Sequence, residues 1–279
     1  MSETFNINGS ILDVQKPLVM AVINRTDDSF YSVSRCSTTD DVLCRVDRAL
    51  TEGADILDIG GCSTRPQSHP VSVETEWRHI SESLTVIRKH FPTAILSIDT
   101  FRSEIAQKAL NEFGGLIIND VSGLADETIA CIAADAGVPY VLTHSLPLMA
   151  DTDIFVQMID FFVKKINALH QNGVKDIIID PGIGFNKTTE QNWQILSGLD
   201  SFQMLDKPML IGVSRKRMLQ NLFGCTAEEA LNATTAANMQ ALMARAKIIR
   251  VHDVKEAKQA VKIYLQCNTD KRYGISNRF

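Results

Sequence analysis

The sequence predicts a single (β/α)8 barrel, the TIM barrel architecture, with a short N-terminal preamble. Three observations predict it. Eight short apolar runs, each closing on a polar or glycine-rich turn, recur along the chain with amphipathic stretches between them. The runs are apolar throughout rather than alternating, which is the pattern of strands covered on both faces and therefore of a parallel sheet. Eight strand–helix units in about 250 residues is the length that a closed barrel of this kind requires. An open doubly wound sheet is the rival, but no G-x-G-x-x-G follows the first run.

The first run, LVMAVIN (18–24), gives way to TTDDVLCRVDRALTEGA (38–54), whose apolar residues fall at helical spacing and whose Gly53 is a stop signal. ILDIGG (56–61) leads into VETEWRHISESLTVIRKHF (73–91), which ends before Pro92. ILSIDT (95–100), GLIIND (115–120) and YVLTHS (140–145) are followed in turn by SEIAQKALNEFGG, DETIACIAADAG and DIFVQMIDFFVKKINALHQNG. Each of these helical stretches closes on glycine, the residue favoured just past a helix end. IIIDPG (177–182), MLIGVSRK (209–216) and IIRVHD (248–253) complete the strands, and AEEALNATTAANMQALMARA and VKEAKQAVKIYLQ supply the last helices. No linker, low-complexity segment or composition shift marks a second domain. Residues 1–268 are expected to form one barrel with its core at about 18–266, and 269–279 a tail.

Composition narrows the function classes. The chain has 279 residues, 45% of them apolar and 22% charged, with a net charge of −5. Neither the charge nor any basic run suggests nucleic acid or a membrane surface as a partner. The longest apolar stretches are far too short to span a bilayer, and MSETFNINGS has no signal-peptide pattern. The six cysteines show no C-x-x-C spacing, which argues against zinc or a redox pair and for reduced thiols in the cytoplasm. Cys62 reads as a small side chain filling a tight turn.

In a parallel barrel the C-terminal ends of all strands meet at one mouth, where active sites are built. The runs place there Asn24, the Gly60–Gly61 turn with Arg65, Asp99, Asn119 and Asp120, His144, Asp180, Ser214 with Lys216, and Arg250 with His252. Taken singly, Asp99 or Asp180 reads equally well as the N-cap of the next helix. Asn119 could simply satisfy loop backbone groups, and His144 reads as a packed rim residue. Together the set divides into two kinds. Arg65, Lys216, Arg250 and His252 are cationic and suit phosphate, with glycine-rich turns offering N–H groups beside them. Asp99, Asn119 and Asp180 are acceptors suited to a flat heterocycle edged with N–H donors. One small molecule carrying a heterocycle at one end and a phosphate or pyrophosphate at the other satisfies both. A metal has room as well: magnesium takes oxygen ligands and keeps waters and substrate phosphates, and Asn24 could supply one protein oxygen.

These motifs resemble the dihydropteroate synthase family. The resemblance runs through LVMAVINRTDDSF, DIGGCSTRP, SIDT, IND, DPGIGFNK, GVSRKRM and IIRVHDV, in order, from about Leu18 to Val254. It implies the condensation of 6-hydroxymethyl-7,8-dihydropterin diphosphate with p-aminobenzoate. Asp99, Asn119, Asp180, Lys216 and Arg250 would hold the pterin. Asn24, Arg65, Arg250, Val251 and His252 would hold the diphosphate, with magnesium at Asn24. Phe30, Thr64, Pro66, Phe185 and Ser214 would surround the aminobenzoate, in a site of the kind that sulfonamides target. Asp99, Asp180, Lys216 and Arg65 would carry the catalysis, in an SN1-like reaction under loops 25–35 and 62–71. A homodimer is implied by the same resemblance.

The sequence also departs from the family pattern. Asp27 stands where a proline is usual, YSVSR replaces Asp-Gly-Gly, and Gln67 and Asn186 stand where glycines are frequent. THS at 143–145 stands for the frequent MHM. A methyltetrahydrofolate:corrinoid methyltransferase, similar in barrel and pterin slot, is the nearest alternative, but it holds no diphosphate and gives the cationic set no task. A non-catalytic pterin-binding barrel is the other, favoured only by the altered first loop.

Overall fold

In the computed structural model the described residues are 4–7, 10–25, 38–62 and 71–268. Two short strands, β1 (Thr4–Ile7) and β2 (Ser10–Asp13), pair antiparallel as a hairpin. The barrel strands follow: β3 (Leu18–Asn24), β4 (Ile56–Gly60), β5 (Leu96–Asp99), β6 (Ile117–Asp120), β7 (Tyr140–Thr143), β8 (Ile177–Asp180), β9 (Leu210–Ile211) and β10 (Ile248–Val251). They form one parallel sheet in the order β8-β7-β6-β5-β4-β3-β10-β9. A parallel bridge from Ile179 to Met209, with the Ile179 N–H donating to the Pro208 carbonyl at 2.9 Å, joins the two ends. The ring is thereby closed.

The helices are α1 (Thr39–Thr51), α2 (Val73–His90), α3 (Ser103–Phe113), α4 (Thr128–Ala136), α5 (Ile154–Gln171), α6 (Thr189–Ser197), α7 (Arg217–Phe223), α8 (Leu231–Met243) and α9 (Val254–Cys267). Helix α1 begins in a capping box between Thr38 and Asp41, which satisfies two otherwise open N–H groups. Two of the helices, α6 and α7, are absent from the helical stretches read in the sequence. The reason is local: TEQNWQILS buries only Asn192, Ile195 and Leu196, too few apolar positions for a stripe, and α7 has only seven residues. The start of α6 is set instead by a capping box between Thr188 and Gln191.

Strand side chains alternate between the two faces of the sheet. Val19, Ala21, Ile23, Leu57, Ile59, Ile98 and Ile118 face outward into the main core against the helices. Met20, Ile56, Ile117, Val141, Ile178, Leu210 and Ile248 face inward and form an apolar floor within the barrel. The hairpin, which the sequence offered only as a preamble, closes this floor from below. Its Phe5, Ile7, Leu12 and Val14 are buried against the inward residues. Two residues further along each strand, on the same face, stand Asp58 above Ile56, Asn119 above Ile117, Thr143 above Val141, Asp180 above Ile178 and Arg250 above Ile248. A second, polar tier is therefore dictated by the two-residue period of the strands.

Phe5 is 2% exposed, and removing its ring opens a void between hairpin and floor. Phe5→Ala is expected to destabilise the protein by about 3 kcal/mol, read by urea denaturation. Loss below about 0.5 kcal/mol would show that the hairpin does not seal the barrel.

Candidate active site

The polar tier is organised by one guanidinium. Arg250 on β10 donates through Nε to Asp58 Oδ2 at 2.6 Å and through Nη2 to Asp99 Oδ2 at 2.7 Å. Asn119 Nδ2 donates to the same Asp58 oxygen at 3.0 Å. Asp58, Asp99 and Asn119 are all buried. Burial pushes the Asp99 carboxyl up to about 7, against the opposing pull of Arg250. Burial alone would lower the Arg250 guanidinium, but Asp58 and Asp99 outweigh it and hold the group above its ordinary value. The second oxygens of Asp58 and Asp99 are buried and meet no donor among the described residues. Buried acceptors of this kind call for a donor from elsewhere.

A second group sits on the loop after β8. Asp180 Oδ1 accepts from the Gly182 N–H at 2.7 Å. Gly182 has φ +67, and a Cβ there would lie 2.1 Å from the His144 carbonyl oxygen, so glycine is required both by backbone and by space. Lys187 ties this loop to the end of β7, donating to the carbonyls of His144 at 2.7 Å, Gly182 at 3.0 Å and Phe185 at 3.1 Å. Asn186, where the family has a frequent glycine, adopts φ +48, a left-handed conformation that asparagine tolerates, and its amide donates to the Ser145 carbonyl at 2.8 Å. Lys216 donates to the Ile183 carbonyl and lies 4.8 Å from the centre of the Phe185 ring. Burial lowers Lys216 to about 8 and Lys187 to about 7, while it raises Asp180, which Lys216 pulls back.

The third group lies after β9 and β10. The Ser214 hydroxyl is 3.0 Å from His252 Nδ1 and accepts the His252 N–H at 3.2 Å, and Arg45 of α1 donates to the His252 carbonyl. Arg215, at φ +53, forks onto Asp253 with two bonds of 2.8 Å and also caps the Ala227 and Glu228 carbonyls. Its fixed backbone sets Ser214 and Lys216 on either side. At the end of β3, Asn24 Oδ1 lies 2.6 Å from where a Gly60 Cβ would be, so the bare glycine leaves room for that oxygen.

The sequence-predicted set is thus brought together for Asn24, Asp99, Asn119, Asp180, Phe185, Ser214, Lys216, Arg250 and His252, all on the strand ends or loops of one mouth, whereas the Val251 side chain is turned outward into the core against the helices. Phe30, Thr64, Arg65 and Pro66 lie outside the described residues. Asp120 corrects the rim reading: it faces outward, accepting from the Tyr140 hydroxyl and from the Ser122 and Leu124 N–H groups at 2.7 and 2.9 Å. His144 also turns outward, edge-on to Phe161 at 4.7 Å, and burial lowers it to about 4, so it packs as a neutral ring. Asp58 is the residue that sequence reasoning missed. Its signal was there: a carboxylate in the middle of the apolar run ILDIGG, on the same face as Gly60.

A profile of the family described as pterin binding enzyme matches residues 20–252. The chain is 33% identical over 277 residues to the dihydropteroate synthase of Escherichia coli K12, across 95% of this chain and 98% of that protein. The chain belongs to the dihydropteroate synthase family. It is 37% identical over 253 residues to the dihydropteroate synthase of Streptococcus pyogenes, across 89% of this chain and 94% of that one. Among solved structures, the dihydropteroate synthase of Xanthomonas albilineans with 4-aminobenzoic acid matches with a TM-score of 0.88 at 34% identity, covering 96% of this chain and 99% of that one. The Yersinia pestis dihydropteroate synthase in a sulfonamide drug complex matches with a TM-score of 0.90 at 30% identity, covering 95% and 99%. As a dihydropteroate synthase family member this protein is a transferase. Among the described residues no helix is long and apolar enough to cross a membrane.

Gly182 separates steric from conformational cost when compared with Gly137, whose φ is +62 but whose Cβ would meet nothing within 4 Å. Gly137→Ala is expected to cost about 1 kcal/mol and Gly182→Ala at least about twice that, read from thermal unfolding. Equal costs would mean that the loop after β8 yields to the added methyl.

Proposed function

We propose that the protein condenses 6-hydroxymethyl-7,8-dihydropterin diphosphate with p-aminobenzoate, giving 7,8-dihydropteroate and pyrophosphate. The observation that carries this reading is the convergence, above one apolar floor, of acceptors with open oxygens and of the cations Arg250 and Lys216. Asp99, Asn119 and Asp180 receive the N–H edge of the pterin, and Lys216 donates to its carbonyl side. Arg250 lies against the ring and, with His252, Asn24 and Arg65, would bind the diphosphate. Phe185 and Ser214, with Phe30, Thr64 and Pro66, surround the aminobenzoate.

The reaction needs no strong base, which suits these residues. The bond from the pterin methylene to the diphosphate oxygen breaks with its electron pair on pyrophosphate, leaving a cation delocalised into the dihydropterin ring. Fixed carboxylates at Asp99 and Asp180 stabilise that cation, since opposite unit charges about 4 Å apart gain about 4 kcal/mol at an effective dielectric near 20. The aromatic amine then attacks the methylene, and the resulting ammonium gives its proton to the departing pyrophosphate. Preoriented positive groups at the other end stabilise the charge growing on the leaving group.

Asn24 fits magnesium as a partner of the substrate rather than as part of a closed cage. It offers one neutral oxygen at the mouth, and among the described residues no group of three His, Cys, Asp or Glu side chains is placed to hold a metal ion. Magnesium bound at Asn24 and the diphosphate oxygens would supply positive charge to the leaving group. A cytoplasmic homodimer completes the reading, with light scattering as its check.

Pyrophosphate release on mixing both substrates, with and without magnesium, tests the reaction; no release with both substrates and magnesium present would reject it. Lys216→Ala and Arg250→Ala are expected to lower kcat/KM more than about 100-fold, and near-normal rates in both would remove the site assignment. The pH profile has a stated sign. Asp99 must be ionised to accept, so kcat/KM for the pterin substrate falls as pH drops through about 7. Lys216 must be charged, so it falls again as pH rises through about 8. A flat profile from about pH 6 to about pH 9 would contradict both roles.

A further inference from the structure

Asp58 has no part in the reading above, yet more of the polar tier rests on it than on any other carboxylate. It is fully buried in the middle of β4. One of its oxygens, Oδ2, accepts from Arg250 Nε at 2.6 Å and from Asn119 Nδ2 at 3.0 Å, so it ties together β4, β6 and β10 across the barrel interior. We infer that Asp58 is the positioning residue of this site: it fixes the plane of the Arg250 guanidinium and the orientation of the Asn119 carboxamide before the pterin arrives. This inference rests on the proposed reaction and adds a residue to it.

Three features argue that the contact is built for placement rather than for neutralising a charge alone. First, Arg250 uses Nε on Asp58 and Nη2 on Asp99, and two anchored nitrogens on one planar fork leave it no rotation about its own axis. Anchored by Asp99 alone, the same fork would pivot and compete for the carboxylate that the pterin must use. Second, Asn119 presents its amide nitrogen to Asp58, which aims its carbonyl oxygen away from that carboxylate. An asparagine whose donor end is held in this way offers an acceptor to the ligand. Third, Asp58 Oδ1 stays buried with no donor among the described residues. On the neighbouring strand, Ser97 stands in register with Asp58, and its buried hydroxyl also has no partner among the described residues. A carboxylate retained for stability alone would have its second oxygen satisfied by the protein.

Asp58→Asn keeps shape and removes the charge. Kinetics are compared in four proteins: wild type, Asp58→Asn, Arg250→Met and the double variant, with aminobenzoate and pterin diphosphate varied separately. We expect Asp58→Asn to lower kcat/KM for the pterin substrate at least tenfold, mainly through KM, with the KM for aminobenzoate changed less than twofold. In the Arg250→Met background the same change is expected to cost no more than threefold, because the residue acts largely through that arginine. A purely structural role gives instead equal losses in both backgrounds, or a drop in kcat that follows the folded fraction with both KM values unchanged; either result overturns the inference.

A measurement on the unaltered protein covers the case in which the variants do not fold. The Arg250 Nε–H signal in nitrogen-15 NMR, assigned by its loss in Arg250→Lys, is expected to be protected from hydrogen exchange and to stay protected when 6-hydroxymethylpterin is added. Exchange as fast as that of exposed arginines, free or bound, overturns the inference. Wild-type turnover separates the two levels of argument. If the wild type releases no pyrophosphate, the proposed reaction fails; if it does and Asp58→Asn behaves like it, the role of Asp58 fails.

Discussion

Two carboxylates and a guanidinium lie inside this barrel, on a tier that water reaches poorly, and the site depends on their mutual compensation. A buried charge without a partner costs several kcal/mol, whereas a buried ion pair with its hydrogen bonds satisfied roughly recovers what its desolvation costs. Arg250 between Asp58 and Asp99 meets that condition on one side only, because among the described residues each carboxylate keeps one oxygen without a donor. The ligand-free tier is therefore folded but incomplete. It holds together through the arginine and retains its appetite for donors.

The placement of that tier follows from the strand period. Inward positions alternate, so an apolar residue at one level fixes which residue stands above it. Ile56 and Asp58, Ile117 and Asn119, Ile178 and Asp180, and Ile248 and Arg250 are such pairs. The loops then do the finer work. Lys187 gathers two carbonyls of the loop after β8 and the His144 carbonyl after β7, and Arg215 gathers Asp253 and two carbonyls ahead of α8, so that Asp180 and Lys216 are presented from braced turns. These interior cations stand behind the reacting groups and keep backbone oxygens satisfied where helices do not.

Much of this was legible in the sequence because the strands are buried on both faces and end on polar residues. A run such as IIID reads as a strand by itself, but only the eight run ends taken together mark its last residue as meeting a shared cavity rather than capping the next helix. The hairpin was not legible as a floor: TFNI and SILD are four residues each, and nothing local says that their apolar sides meet the interior of a barrel formed by residues far along the chain. Helix α6 was hidden by its polar surface. Asp58 was hidden by the opposite effect, since the apolar neighbours that mark β4 as a strand drew attention from the one charged residue among them. Asp120 misled for the same reason of parity. It directly follows Asn119, and one step along a strand turns a side chain from the cavity to the outer wall.

The hairpin under the barrel has a last consequence. With Phe5, Ile7, Leu12 and Val14 stopping its lower end, the cylinder is a cul-de-sac with one doorway. Anything lodged on the deep charged tier sits behind whatever enters next. If the pterin lodges on that tier and the aminobenzoate nearer the mouth, as proposed above, the deeper molecule arrives first and leaves last or joined to the other.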